Sequence, residues 1–181
     1  MTKALLVIDI QNDYFPGGKM ELVGSVEAAK NAALIQQHFR SQGLPIIHVQ
    51  HIAIKPNATF FLPNTEGVKI YDSVKPVGEE QTITKHFPNA FRETELKATL
   101  ERLQITDLTV VGMMTHMCID TSVRAASDLG FKVSLVGDAC ATKNLTFDGL
   151  EVTAENVQAA YLAAIDGSFA TVVKTENLLA G

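Results

Sequence analysis

The chain of 181 residues contains two cysteines, no tryptophan and only 19% charged residues, and each shortage excludes something. Cys118 and Cys140 are too few for a secreted disulfide scaffold and match no paired zinc spacing, which points to a reducing compartment. The net charge is -5 and no run of Lys and Arg exceeds a pair, so the electrostatic footprint of a nucleic-acid or anionic-lipid binder is missing. No apolar run approaches the roughly 18 residues of a membrane-spanning helix. The N-terminal run Ala4 to Ile8 stops at Asp9, short of the apolar core of a secretory signal. The expectation is a cytoplasmic protein with a small-molecule substrate and neither nucleic-acid nor membrane partners. Gln11-Asn12-Asp13 stands where a dinucleotide-binding fold carries its glycine-rich turn, and Gly17-Gly18 comes too late and with the wrong spacing. No cofactor is therefore expected. Repeats, low-complexity segments and linkers are also lacking, so residues 1–181 read as a single domain.

What the chain does have is 46% hydrophobic residues arranged as short β-branched runs alternating with longer amphipathic segments. That alternation marks βαβ units feeding a parallel sheet. Strands are predicted over Ala4–Ile10, Pro45–Val49, Thr82–Lys85, Leu108–Val111, Lys132–Val136 and Thr171–Val173. The nearly unbroken apolar character of the first places it centrally, covered on both faces. Helices are predicted over Ser25–Ser41, Glu93–Leu103, Met117–Leu129 and Thr153–Ile165. The fold class is α/β: a three-layer α/β/α sandwich with an open, doubly wound, mostly parallel six-stranded sheet of Rossmann-like type. Residues 52–81 hold three prolines and two glycines without a sustained period, and an irregular excursion of that length is usually functional.

In open parallel sheets the ligand crevice lies at the carboxyl ends of the strands, and three polar residues sit there. Asp9 ends the first apolar run, where an unpartnered buried carboxylate would cost several kcal/mol and so needs a cation or donor. Lys85 ends the third strand and can be that cation. Cys118 lies in the first turn of the helix after the fourth strand, where unpaired N–H groups favour a thiolate. Together they offer a nucleophile, a base and an ammonium, with backbone N–H groups before Cys118 where an oxyanion would form. Each also has a plain reading: a turn residue, a solvated strand end, a small core hydrophobe. If the third strand lies two places from the first, roughly 10 Å away, Lys85 must reach inward to meet the others.

The segments ALLVIDIQNDYF, TKHFPNAF and GMMTHMCIDTSVRAASDLGF, with VSLVGDACAT downstream, resemble the isochorismatase-like cysteine hydrolase superfamily in order and spacing. Its members include nicotinamidases, N-carbamoylsarcosine amidohydrolases, ureidoacrylate amidohydrolases and isochorismatases. The resemblance implies that Asp9 is the general base, Lys85 supports the thiolate, and Cys118 attacks substrate to give a thioester-type intermediate. It also implies a cis peptide at Met113-Met114 that turns the Met114 N–H, beside that of Cys118, toward the oxyanion. Nicotinamidases of this family hold a metal through an Asp-x-His element and a further His after the second strand. Gln50-His51-Ile52-Ala53-Ile54-Lys55 lacks both the Asp and the following His, so no catalytic metal is expected. His48 does not help His51, because residues three apart on a strand face opposite ways. Isochorismatases cleave an ether and commonly lack the cysteine, so Cys118 favours C–N hydrolysis of an amide, ureido or lactam compound.

Tyr14, Phe87 and Phe91 flank these segments as candidate substrate walls, with His51 and His116 as candidate polar contacts. Family members are commonly homo-oligomers, and the same is expected here. The alternatives left open are ether hydrolysis, a catalytically silent binding subunit, and a redox pair of Cys118 with Cys140.

Overall fold

The structure is a computed structural model that describes residues 2–180. Its strands and helices run in the order β1 (Thr2–Ile8), α1 (Ser25–Ser41), β2 (Ile46–His51), β3 (Gln81–Lys85), α2 (Leu96–Arg102), β4 (Ile105–Met113), α3 (Asp120–Asp128), β5 (Lys132–Ala141), β6 (Leu145–Phe147), β7 (Leu150–Val152), α4 (Ala154–Ile165), β8 (Thr171–Val173) and α5 (Thr175–Ala180). Six strands form one sheet in the order β3-β2-β1-β4-β5-β8, every neighbouring pair parallel. The expected mostly parallel sheet is thus wholly parallel.

β1 is central, and its alternate residues feed two cores. Ala4, Leu6 and Ile8 join Leu96, Leu100, Ile119, Val123 and Ile165 on the side of α2, α3 and α4. Leu5 and Val7 join Ala28, Ala29, Ala32, Ile35 and Phe39 of α1 on the other side, where Leu178 of α5 also packs. A strand covered on both faces has no polar side to keep, which is why its sequence is an unbroken apolar run.

Several boundaries differ from the sequence expectations. The predicted helix 117–129 begins as a wide turn, Thr115–Ile119, in which the Ile119 N–H reaches the Met114 carbonyl five residues back, before α3 starts. The predicted helix from Glu93 starts only at Leu96, because Glu93 takes a left-handed conformation at φ 55°. β5 continues to Ala141, and the hairpin β6–β7 and the short α5 are additional. The hairpin turns at Asp148-Gly149, both with positive φ (49° and 75°), the two-residue turn that strand twist favours. Among the described residues no helix is long and apolar enough to cross a membrane.

The excursion 52–81 is tied down along its length. The N–H groups of Asn12 and Asp13 donate to the carbonyls of Lys69 and Gly67, and that of Tyr71 donates to Ile10. These bonds wrap it around the carboxyl end of β1, and the Ala53 N–H donates to the Phe61 carbonyl, closing a loop of which Ala53, Phe60 and Phe61 border the same cavity as Cys118. The strand order reverses between β1 and β4, the point at which a doubly wound sheet opens a crevice.

Candidate active site

Immediately after β1 the chain turns sharply. Asp9 has φ 53°, an unusual left-handed value for a residue other than glycine, and is fully buried. Its N–H donates to Val49 and its carbonyl accepts from Gln11, so the backbone holds a conformation that is costly by itself. Buried strain of this kind persists where the surroundings enforce it and clusters at working sites. Across the crevice, Gly112 pairs with Ile8 at φ 142°, and a Cβ there would lie 2.0 Å from the Ile8 carbonyl oxygen. Only glycine lets β4 approach β1 this closely, just before the chain turns through the cis peptide Met113-Met114 toward Cys118.

Lys85, the last residue of β3, sits beside His51 in register and two strands from β1. Its side chain crosses that span fully buried. The ammonium Nζ lies 2.6 Å from Asp9 Oδ2 and donates to Cys118 Sγ at 3.2 Å, His51 Nδ1 at 2.9 Å and the Phe87 carbonyl at 3.1 Å. Asp9, Lys85 and Cys118, expected together from sequence, are brought together. Lys85 is the one cation beside Asp9, and the Cys118 thiol is the other group that faces its carboxylate.

Burial works against the Lys85 ammonium, but the Asp9 carboxylate outweighs it and raises its pKa. For Cys118, burial and then the Asp9 carboxylate push the thiol far above its usual range, against the opposing pull of Lys85. Burial and Asp9 outweigh the lowering expected of a helix N-terminus. Cys118 lies within the wide turn that leads into α3 and is nearly sealed from water. Burial, then Lys85, lowers His51 to about 4, so its ring is neutral at pH 7.

The isochorismatase domain model matches residues 3–177. The chain belongs to the isochorismatase family. It is 51% identical over 99% of both chains to the uncharacterized isochorismatase family protein YddQ of Bacillus subtilis. It superposes with a TM-score of 0.96 on the crystal structure of an isochorismatase-type hydrolase from Oleispira antarctica, at 46% identity covering 99% of this chain and 97% of that one. Nicotinamidase 3 of Arabidopsis thaliana is 28% identical, matching 78% of this chain and 74% of its own length. The chain is thus an isochorismatase-family hydrolase, with the fold its sequence motifs imply.

A cavity of about 300 Å³ opens beside Cys118, walled by Tyr14, Phe60, Phe61, Phe87, His51 and His86 among others. Of the expected substrate contacts, Tyr14, Phe87 and His51 line it. Phe91 and His116 do not, and both expectations are corrected. Phe91 packs on the core against Phe131, where the Ala90 N–H before it donates to Ser122 Oγ of α3 and anchors the segment to that helix. His116 turns away to hydrogen-bond Thr142 at 2.6 Å and meets Tyr161 edge-on. A larger hollow of about 660 Å³ beside α4 and α5 contains none of Asp9, Lys85 and Cys118. Cys140 borders that hollow, with burial pushing its thiol up to about 12.

A nicotinamidase-type metal does not fit. The segment after β2 presents Ala53, Ile54 and Lys55 to the cavity, two side chains without donor atoms and a like charge. Asp9, His51 and Cys118 offer ligand atoms within 4.8 Å of one another, a donor set suited to zinc. The Lys85 ammonium already stands among them as the local cation.

Two residues important to the site were not singled out from sequence. Gln11, fully buried, donates from Nε2 to the carbonyls of His51 and Val68 and accepts from the His51 N–H, which locks the end of β2 to β1 and to the excursion. An amide two residues after Asp9 is its only sequence signal. His86, next to Lys85, is the other; a lone histidine in TKHFPNAF carries no signal until its neighbours are known.

Proposed function

We propose that this hydrolase cleaves a C–N bond of a small amide, ureido or lactam compound through a thioester-type intermediate on Cys118. The observation that carries the reading is the fully buried Lys85 ammonium bridging Asp9 Oδ2 at 2.6 Å and Cys118 Sγ at 3.2 Å. A thiol whose pKa is raised by burial must lose its proton during attack, and Asp9 is the carboxylate beside it. The proton passes from Sγ to Asp9 as Sγ bonds to the carbonyl carbon, and Lys85 offsets the negative charge that moves between them. The N–H groups of Met114 and Cys118 are the proposed oxyanion donors, each typically worth about 3 to 4 kcal/mol. The tetrahedral adduct collapses with loss of the amine, which takes the proton back from Asp9. Water, deprotonated by the same carboxylate, then releases the acid and restores the thiol. Every step uses groups of this chain, without a metal or cofactor. A relative named as a nicotinamidase supports amide chemistry in the family.

Ammonia release from a panel of small primary amides, ureido acids and lactams, measured after exhaustive chelation, tests the reading. Release by the native protein that disappears in Cys118→Ala is the expected result. Release that survives the substitution, or that needs added metal, would refute it.

A further inference from the structure

Two histidines border the cavity beside Cys118, and each is gripped from behind by a group that fixes its proton. Lys85 donates to His51 Nδ1 at 2.9 Å; an ammonium only donates, so Nδ1 is bare and the neutral ring carries its proton on Nε2. His86 Nδ1 lies 2.8 Å from the Ile52 carbonyl; a carbonyl only accepts, so here Nδ1 carries the proton and Nε2 of the neutral ring is bare. Neither Nε2 has a partner in the protein, and neither is closed off from solvent, while both rings line the cavity. The two walls therefore present opposite polarities: a donor at His51 and an acceptor at His86. Apart from Tyr14, Lys55, Asn57, Thr59 and Cys118 itself, the rest of the wall is aromatic and aliphatic.

We propose that His51 and His86 are specificity-determining residues: with their tautomers fixed from outside the cavity, they select a reacting group that bears an N–H beside its carbonyl, and discriminate against the ester isostere. His86 Nε2 takes the substrate N–H, and the His51 Nε2–H takes a lone pair of the substrate oxygen. An ester leaves the His86 acceptor facing oxygen lone pairs, and sites built to bond an N–H reject analogues without one. The inference rests on the cavity being the substrate site of a C–N hydrolase.

Alkylation of Cys118 reads this preference without requiring turnover. Iodoacetamide and methyl iodoacetate each form a bond from Sγ to the methylene carbon and release iodide, with the thiol proton taken up by Asp9 or water. They differ in the presence of the N–H. Rates at the Cys118 peptide, followed by mass spectrometry and normalised to each reagent's rate with glutathione, should favour the amide by about tenfold or more, the effect of one good hydrogen bond. His86→Leu should bring the ratio close to one, His86→Gln, which keeps an acceptor oxygen, should restore part of it, and His51→Phe should slow both reagents. Equal normalised rates in the native protein, an unchanged ratio in His86→Leu, or failure of iodoacetamide to reach Cys118 would each overturn the proposal. Selective alkylation with no ammonia release from any amide would instead leave the site preference standing and count against the C–N hydrolase.

Discussion

β2 carries a histidine toward each of two charged clusters, and the two differ in one respect that decides what they do. At His48 the centre is Glu80, whose carboxylate receives Arg40 Nε at 2.6 Å, Arg40 Nη2 at 2.9 Å, His48 Nε2 at 2.9 Å and the Val77 N–H at 3.0 Å. At His51 the centre is Asp9, which has one ammonium and the Cys118 thiol beside it. A carboxylate with all its lone pairs engaged is a strut that ties α1 and β2 to the end of the excursion. One that faces a single ammonium and a thiol is placed to exchange a proton with that thiol. The first arrangement holds structure together and the second is suited to chemistry.

The largest contrast is expected from removing the nucleophile. Cys118→Ala should lower turnover by about 10³-fold or more, as loss of a nucleophile does elsewhere, while shifting the urea-unfolding free energy by less than about 1 kcal/mol, since only a small buried thiol is lost. Asp9→Asn is expected to damage both properties. It removes the proton acceptor and leaves the buried Lys85 ammonium without its counter-charge, a defect that commonly costs about 3 to 5 kcal/mol. An Asp9→Asn protein as stable as the native one would mean that Lys85 is not held as an ammonium.

Glu80→Gln is the matching change in the other cluster. Expected is a stability loss of about 1 to 3 kcal/mol from weakened bonds to Arg40 and His48, with kcat within about twofold of native because the bonded network is remote from Cys118. Equilibrium unfolding and steady-state kinetics on the same preparation decide it. A fall in kcat larger than the fall in stability would show that the two clusters are coupled through β2.

Much of this comparison could be read from the sequence, and the part that could not has a common cause. Asp9, Lys85 and Cys118 are legible because each is a polar residue at the carboxyl end of an apolar run, and strand ends are visible in a one-dimensional pattern. The sheet follows for the same reason: runs such as Ala4 to Ile8 are unbroken only when both faces are covered. Gln11, His86 and Glu80 lie on turns and in the irregular excursion, where residue spacing says nothing about which partner a side chain meets. Phe91 and His116 fail as cavity residues for a related reason, since being near a motif in sequence does not fix which way a side chain points. The hairpin at Asp148-Gly149 is different. Its turn signal is present in the sequence, but its strands of three residues each are too short to show an alternating pattern.

The smallest expected effect is also the finest test of the comparison, because it separates the two histidines by pH. Burial lowers the pKa of both His48 and His51, the latter to about 4. A group whose folded pKa lies below its unfolded value of about 6.5 binds fewer protons when folded. Its contribution is complete above that unfolded value and is lost as pH falls toward the folded one. Glu80, whose bonds to Arg40 and His48 prevail over the opposing effect of burial to bring it down to about 2, adds a second loss, from about pH 4.5 downward by the same linkage. Thermal melts should therefore fall first between about pH 6.5 and 4 and then further below that range. His51→Gln, which removes the proton site but keeps side-chain polarity, should flatten the first interval by on the order of 1 kcal/mol, after allowance for the partial exposure of the ring. It should leave the second unchanged. Glu80→Gln should do the reverse, losing the decline below pH 4.5 and keeping the His51 share above it. If His51→Gln also removed the lower decline, the two ends of β2 would be one titrating unit, and the division between a saturated strut and a reactive centre would have to be given up.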